Sequence, residues 1–489
     1  MKNYIPTIGL EIHAELKTQS KMFCSCANNT DEKRPNINIC PICTGHPGTL
    51  PVLNKKAIRH VILVGHAVGG KIADYTEWDR KNYFYPDIPK GYQISQYKYP
   101  LVTGGVIPIS LQEKTSDIAI TRIHLEEDTA KSTHGQGKSI DESLVDFNRA
   151  GVPLLELVTE PVIHDAETAG AFAREFQLLL RTLGVAEANM EKGELRVEAN
   201  VSVASEGDTA AGRFGTKTEV KNLNSFRSVE RAIDFEIKRQ IELLEKGEKV
   251  IQETRGWDES AGKTFSQRAK ESSHDYRYFP DPDLPKLVIS EIPEFRADNI
   301  KKGMPELPWE KRVRLTRDFG MTTKEVAVFV ESPAVGAYFE AVVQDVILAR
   351  LAINYILTDY LGLIKKDHGE DYESYINSIE PSNFTKLMKM ISENKVSSRG
   401  AKDLLVFIYK GDKREPVAIA EEKGLLQKSD EGELESMVKE IITKNPSVVA
   451  DYKAGKSVAL QFLIGQGMKL SKGSANPEVL KKVFLKELE

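Results

Sequence analysis

A chain of 489 residues is too long for one hydrophobic core and implies roughly three domains. Its 40% hydrophobic and 28% charged residues are those of a soluble globular protein, and a formal charge of −5 excludes an overall polyanion-binding surface, so any nucleic-acid contact has to be local. No apolar run approaches the about 18 residues of a membrane span, and Glu11 comes too early for a signal-peptide core; a cytoplasmic protein is expected.

The first element is Gly9–Leu16, "GLEIHAEL". Leu10, Ile12, Ala14 and Leu16 alternate with Glu11, His13 and Glu15, which predicts a strand with Glu11 and His13 on one face. The next segment holds all four cysteines, Cys24, Cys26, Cys40 and Cys43, spaced as C-x-C, a polar loop of thirteen, then C-P-x-C. Two close thiolate pairs brought together by a loop match a tetrahedral Zn²⁺ shell. Unrelated reduced thiols, a redox pair or disulfides are the alternatives. The loop 24–43 has no core-forming pattern, which favours a structural zinc with all four positions filled.

Asp79–Pro100, "DRKNYFYPDIPKGYQISQYKYP", carries five tyrosines and three prolines among basic residues. Such a loop suits stacking on a base or sugar, and equally suits packing over a sheet edge. A strand over Ile118–Asp128 places Ile123, Leu125 and Glu127 on one face and His124 and Glu126 on the other. It ends in three successive acids, Glu126, Glu127 and Asp128, whose mutual repulsion calls for a cationic partner. In "GVPLLELVTEP", Glu156 lies between Leu155 and Leu157, where an unpaired carboxylate is costly. "GELRVEANVSV" alternates apolar residues with Arg196, Glu198, Asn200 and Ser202.

A solvated face would explain any one of these strands alone. Together they offer Glu11, His13, Glu127 and Glu156, and carboxylates converging from separate strands are what Mg²⁺ takes when it serves a phosphoryl group. His13 suits Mn²⁺ or Zn²⁺ as well. No complete P-loop is present: Gly262-Lys263-Thr264 ends one, but Trp257 stands where its first glycine belongs.

Helical patterns follow. Asp165 is a candidate cap for a helix stopping at Gly184, and Ser225 for one ending near Gly247. Beyond "YFPDPDLP" (Tyr278–Pro285) helices run to the C-terminus. Seven lysines and one glutamate lie between Lys453 and Lys486, with Gly467 and Gly473 expected to break the helices there. This lysine face either meets a phosphate backbone or is simply solvated.

The segments "GLEIHAEL", "DRKNYFYPDIPKGYQISQ", "RIHLEEDTAKSTH", "DFNRAGVPLLELVTEP", "ELRVEANVSV", "KTEVKNLNSF", "QETRGWDESAGKTFSQRAKE" and "DYRYFPDPDLP" resemble, in unbroken order from about Ile8 to Pro285, the B subunits of the aspartyl/glutamyl-tRNA amidotransferases (GatB). "GKSVALQFLIGQGMKLSKGSANP" resembles that family's YqeY-like tail, and the cysteines match its zinc-bearing members.

The resemblance implies an α+β chain. A β-rich catalytic cradle (1–293, zinc loop included) is followed by a helical domain (294–410) and a helical tail (411–489). It implies ATP-dependent activation of the side chain of Glu-tRNA(Gln) or Asp-tRNA(Asn) as an acyl phosphate, then amidation. The ammonia would come from a glutamine amidase, the A subunit of a heterotrimer whose third member is a small C subunit. The resemblance assigns metal binding to Glu11, His13, Glu127 and Glu156, with Glu126 a neighbour. It assigns nucleotide contacts to Lys81, Asn82, Tyr83, Arg149, Asn200, Lys221 and Asn222. The tail would grip the tRNA backbone through Lys453, Lys456, Lys469 and Lys472. An RNA-binding scaffold without catalysis and a stand-alone ligase using free ammonia are the rival classes.

Overall fold

The computed structural model describes residues 3–111, 114–134, 142–269, 276–343, 346–427, 431–471 and 475–488. The chain divides into two units, Met1–Glu310 and Lys311–Glu489. The first is built on a ten-stranded sheet. Its strands in chain order are β1 (Tyr4–Glu15), β2 (Lys71–Ile72), β3 (Val102–Thr103), β4 (Val106–Leu111), β5 (Lys114–Glu127), β6 (Pro153–Thr159), β7 (Leu195–Ser205), β8 (Thr218–Leu223), β9 (Glu253–Asp258) and β10 (Lys263–Ala269). In space they run β10-β9-β8-β7-β1-β6-β5-β3-β2, with β4 paired to β5. Only β8 and β9 pair in parallel.

"GLEIHAEL" therefore occupies the middle of the sheet. Its apolar face, with Ile123 and Leu125 of β5, Leu155 and Leu157 of β6 and Val197, Ala199 and Val201 of β7, is buried. These residues share one core with Val61 and Ile62 of α1 (Lys55–Ala67), Phe172 and Phe176 of α2 (Ala166–Thr182) and Val229 and Ile233 of α3 (Phe226–Glu245). α2 and α3 start where side-chain acceptors meet free amides: Asp165 accepts from Thr168 N at 2.7 Å and Ser225 from Ser228 N at 3.0 Å. They stop at Gly184 and Gly247, whose φ values of 65° and 76° lie in the left-handed region. With the helices on one face of the sheet, the polar face is left for the site.

In the second unit the regular elements are helices among the described residues, which gives the expected α+β class. Helices Glu431–Lys444, Ser457–Leu470 and Pro477–Leu488 enclose a core of Leu434, Val438, Leu463, Leu480, Val483 and Phe484. Gly467 does not break a helix: it is buried inside Ser457–Leu470. A Cβ there would come within 2.5 Å of Leu480 Cδ2, so the glycine allows close approach of the last helix. Gly473 lies outside the described residues. None of the helices searched, all within the described residues, is long and apolar enough to cross a membrane.

Candidate functional site

Register builds the centre of the polar face. His13 of β1 lies opposite Glu156 of β6, and Glu156 opposite His124 of β5. Directly opposed residues share a face, so three adjacent strands present an imidazole, a carboxylate and an imidazole in a row. His13 Nε2 is 3.4 Å from Glu156 Oε2 and 3.8 Å from both Glu126 Oε1 and Glu11 Oε1. His124 Nε2 is 3.2 Å from Glu156 Oε2 and 3.7 Å from Glu126 Oε2. The donor atoms of Glu11, His13 and Glu156 lie within 4.8 Å of one another, as do those of His124, Glu126 and Glu156. Arg122 Nη2 approaches Glu156 Oε1 at 3.3 Å, and Ser95 Oγ donates to Glu126 Oε2 at 2.9 Å.

Burial alone would depress both imidazoles. The charges and hydrogen bonds of Glu156 and Glu126 outweigh it and raise His13 and His124 to about 9. In return the two imidazoles hold Glu156 and Glu126 down against burial. Burial, then the charges of Glu156 and Glu198, push Glu11 up to about 7. At neutral pH the cluster thus sets two imidazolium ions against the carboxylates of Glu156 and Glu126, with Glu11 part-way through its titration. Nδ1 of His13 and of His124 is buried without a hydrogen-bond partner. Three carboxylates and two imidazoles at these distances form a donor set that a divalent cation fits, taking the place of imidazolium protons.

The three successive acids have three different sets of partners. Glu126 faces the imidazoles. Glu127 points to the opposite side of β5 and is not part of the cluster; its carboxylate pairs with Lys90 and accepts from Ile94 N at 2.9 Å. The structure therefore does not bring Glu127 together with Glu11, His13 and Glu156, with which it was grouped, because alternate residues of a strand face opposite ways. Asp128 is held by Arg196 in a bidentate pair of 2.9 and 3.0 Å, with Arg149 Nε at 3.6 Å. Burial opposes ionisation of Asp128, yet Arg196 and Arg149 keep it well below the usual carboxylate range. His124, which sequence reasoning did not assign, is the missing ligand-type group; its signal was its position two residues before Glu126.

The aromatic segment forms a small sheet. Asp79–Asn82 pairs with Tyr92–Ser95 on one side and Phe279–Pro280 on the other. Lys81 lies beside the cluster: burial would lower its ammonium, but Glu126, Tyr278 and Tyr83 hold it up. Its Nζ is 5.1 Å from the Tyr276 ring centroid and 5.8 Å from that of Tyr83. Tyr97 and Tyr278 stack at 4.0 Å, and Phe84 is 79% exposed.

Of the other residues assigned to the nucleotide, Lys221 pairs with Glu198 at 2.8 Å, and Asn200 Oδ1 is buried without a partner. The structure places three more as follows. Asn82 Nδ2 donates to the carbonyls of Tyr276 and Arg277, and Arg149 to those of Thr129 and Ala130. Asn222 sits at a β7–β8 register shift with φ 63° and lines a separate cleft with Ser225, Trp257 and Phe265.

The four cysteine sulfurs lie within 4.8 Å of one another, and all four thiols are free. Cys40 N donates to Cys43 Sγ at 3.2 Å, and Lys21 Nζ lies 3.8 Å from the same sulfur. The Cys24 thiol, aided by Lys21 against burial, holds Cys43 down at about 5, while Cys24 itself is pushed up. A sulfur tetrad with nearby donors is a set that a soft metal ion fits. In the tail, Lys453, Lys456 and Lys469 are exposed, Lys456 pairing with Asp451 at 2.8 Å. Lys472 lies outside the described residues.

Residues 6–293 match the family model described as the GatB/GatE catalytic domain, and residues 337–488 match the GatB domain. A relative from Caldicellulosiruptor saccharolyticus, named as the B subunit of aspartyl/glutamyl-tRNA(Asn/Gln) amidotransferase, is 44% identical over 487 residues and 99% of each chain. Relatives of the same name from Thermotoga maritima and Clostridium beijerinckii are 44% and 43% identical, again over 99% of each chain. Matched in both of its parts and along its full length by these relatives, the chain belongs to the GatB family.

Proposed function

We propose that this chain uses ATP to activate the side-chain carboxylate of Glu-tRNA(Gln) or Asp-tRNA(Asn) and hands the activated acyl group to ammonia. The observation that carries the reading is the carboxylate–imidazole cluster at the centre of the sheet, in a chain whose relatives are named as amidotransferase B subunits. A carboxylate is a poor acyl donor and an acyl phosphate a good one. A carboxylate oxygen of the substrate attacks the γ-phosphorus and ADP leaves. Ammonia then attacks the acyl carbon, inorganic phosphate leaves, and the amide forms.

Glu11, His13, Glu126, His124 and Glu156 would hold Mg²⁺, which when bound offsets the negative charge of the triphosphate. Lys81 and Lys221 are cations beside these carboxylates and would bind phosphate oxygens; Tyr83 and Asn200 complete the surface offered to the nucleotide. Cys24, Cys26, Cys40 and Cys43 would hold a structural Zn²⁺. With all four cysteines in that cluster, none remains as a thiol nucleophile for glutamine. Ammonia would therefore come from the amidase, the A subunit, with the small C subunit as the third member of the complex in the cytoplasm. We read 1–293 as the cradle, 294–410 as the helical domain and 411–489 as the tail, whose Lys453, Lys456 and Lys469 would meet the tRNA backbone.

The test is ATP turnover with each charged tRNA, with and without the partner subunits. The isolated chain should amidate with concentrated ammonium and fail with glutamine, and adding the partners should restore glutamine use. Glutaminase activity in the pure chain would remove the partner from the reading. RNA binding with no tRNA-dependent ATP consumption would leave the scaffold reading instead.

A further inference from the structure

We infer that Glu127 is a positioning residue that clamps the Lys81-bearing hairpin over the carboxylate–imidazole cluster. The inference rests on the proposed function for its consequence but on contacts for its geometry. The Glu127 and Lys90 side chains are 6% and 10% exposed and form an ion pair away from solvent. Glu127 Oε1 also accepts the Ile94 amide at 2.9 Å, and the Glu127 carbonyl accepts Gln93 Nε2 at 2.8 Å. Gln93 is the cross-strand partner of Lys81. Two residues further on, Ser95 is bonded to Glu126.

The last two residues of β5 therefore hold the hairpin from both sides: Glu126 from within the cluster, Glu127 from behind it. Gly151 packs against the same carboxylate; a Cβ there would lie 3.8 Å from Glu127 Oε2 and 3.4 Å from Cys43 Cβ. Removing the Glu127 charge would strand Lys90 in a buried place and loosen the Ile94 amide. The hairpin would then release Lys81 while the ligand set stayed whole.

The test compares Glu127→Gln, Lys90→Met, the double variant and Glu156→Gln in the full-length protein. Mn²⁺ binding is followed by electron paramagnetic resonance, and hydrogen exchange is measured on the metal-free chain. ATP kinetics are measured in the assembled enzyme. The clamp requires that Glu127→Gln and Lys90→Met keep Mn²⁺ affinity within about twofold, whereas Glu156→Gln loses it. Exchange should rise in residues 79–95 alone. KM for ATP should rise about tenfold with a smaller change in kcat, and the double variant should cost no more than the worse single one. Loss of Mn²⁺ affinity in Glu127→Gln would make it a ligand and overturn the inference. So would faster exchange spread over the whole first unit, or an unchanged hairpin in Lys90→Met. If the enzyme consumes no ATP, the proposed function falls, and the exchange and Mn²⁺ results still decide this point.

Discussion

Glu156 touches both imidazoles and Arg122, and its carboxylate is the leading charge that holds the two imidazoles protonated. Glu156→Ala should lower the titration midpoints of His13 and His124 from about 9, read by histidine NMR. It should also cut ATP-dependent amidation by about 10²-fold or more while tRNA binding persists; normal amidation would remove Glu156 from the site. His60 gives a separate pH dependence. It is 3% exposed, and its Nε2 donates to the Lys17 carbonyl at 3.1 Å. Burial lowers its pKa to about 4. Above the unfolded value of about 6.5 both states hold it neutral, so this stability is fully present. As pH falls from there to about 4, only the unfolded chain takes up the proton, and the first unit should lose up to about 3 kcal/mol. In urea melts followed across that window, His60→Gln should flatten the loss; an equal slope in both proteins would assign it to other groups.

At the scale of elements, the loop between Cys24 and Cys43 should depend on its metal. Elemental analysis should find one zinc per chain. Cys40→Ser should lose it and raise hydrogen exchange across the loop, with the His13–Glu156–His124 row left in place. Zinc-free protein with an ordered loop would contradict this. The strands were legible because alternation is a local rule, and β1, β5, β6 and β7 follow it. The same rule already placed Glu127 opposite Glu126; Glu127 was grouped with the ligands because it lies on a strand-like segment, without regard to its face, and the family resemblance repeated the grouping. Asn222 was not legible, because the register shift that takes up Lys221 and Asn222 between Val220 and Leu223 depends on how β8 meets β7. Gly467 looked like a break because propensity counts only the helix itself, whereas the deciding contact is Leu480 in another helix.

At the scale of the whole molecule, the sheet core and the tail core are separate, so ATP chemistry and tRNA grip should be separable. Deleting 429–489 should raise KM for charged tRNA far more than KM for ATP. Lys453→Ala with Lys469→Ala should lower the slope of log affinity against log salt by up to about two, near one for each phosphate no longer neutralised. An unchanged slope with the fold intact by circular dichroism would mark a merely solvated face. The helical second unit was legible in outline from its patterns and its tail motif. Which lysines are paired within the tail was not, since the Lys456–Asp451 contact depends on the fold.

The end of β5 also bears on which sequence changes this chain could survive. Glu126, Glu127 and Asp128 are chemically near-identical neighbours, and each takes its task only from its phase along the strand. A point substitution would therefore damage one task and spare the other two. A one-residue deletion in β5, which removes no acid at all, would hand every acid its neighbour's address: the cluster would receive Glu127, and Lys90 would receive the acid meant for Arg196. Length variation should accordingly be confined to the turns at either end of this strand, where it leaves the phase intact.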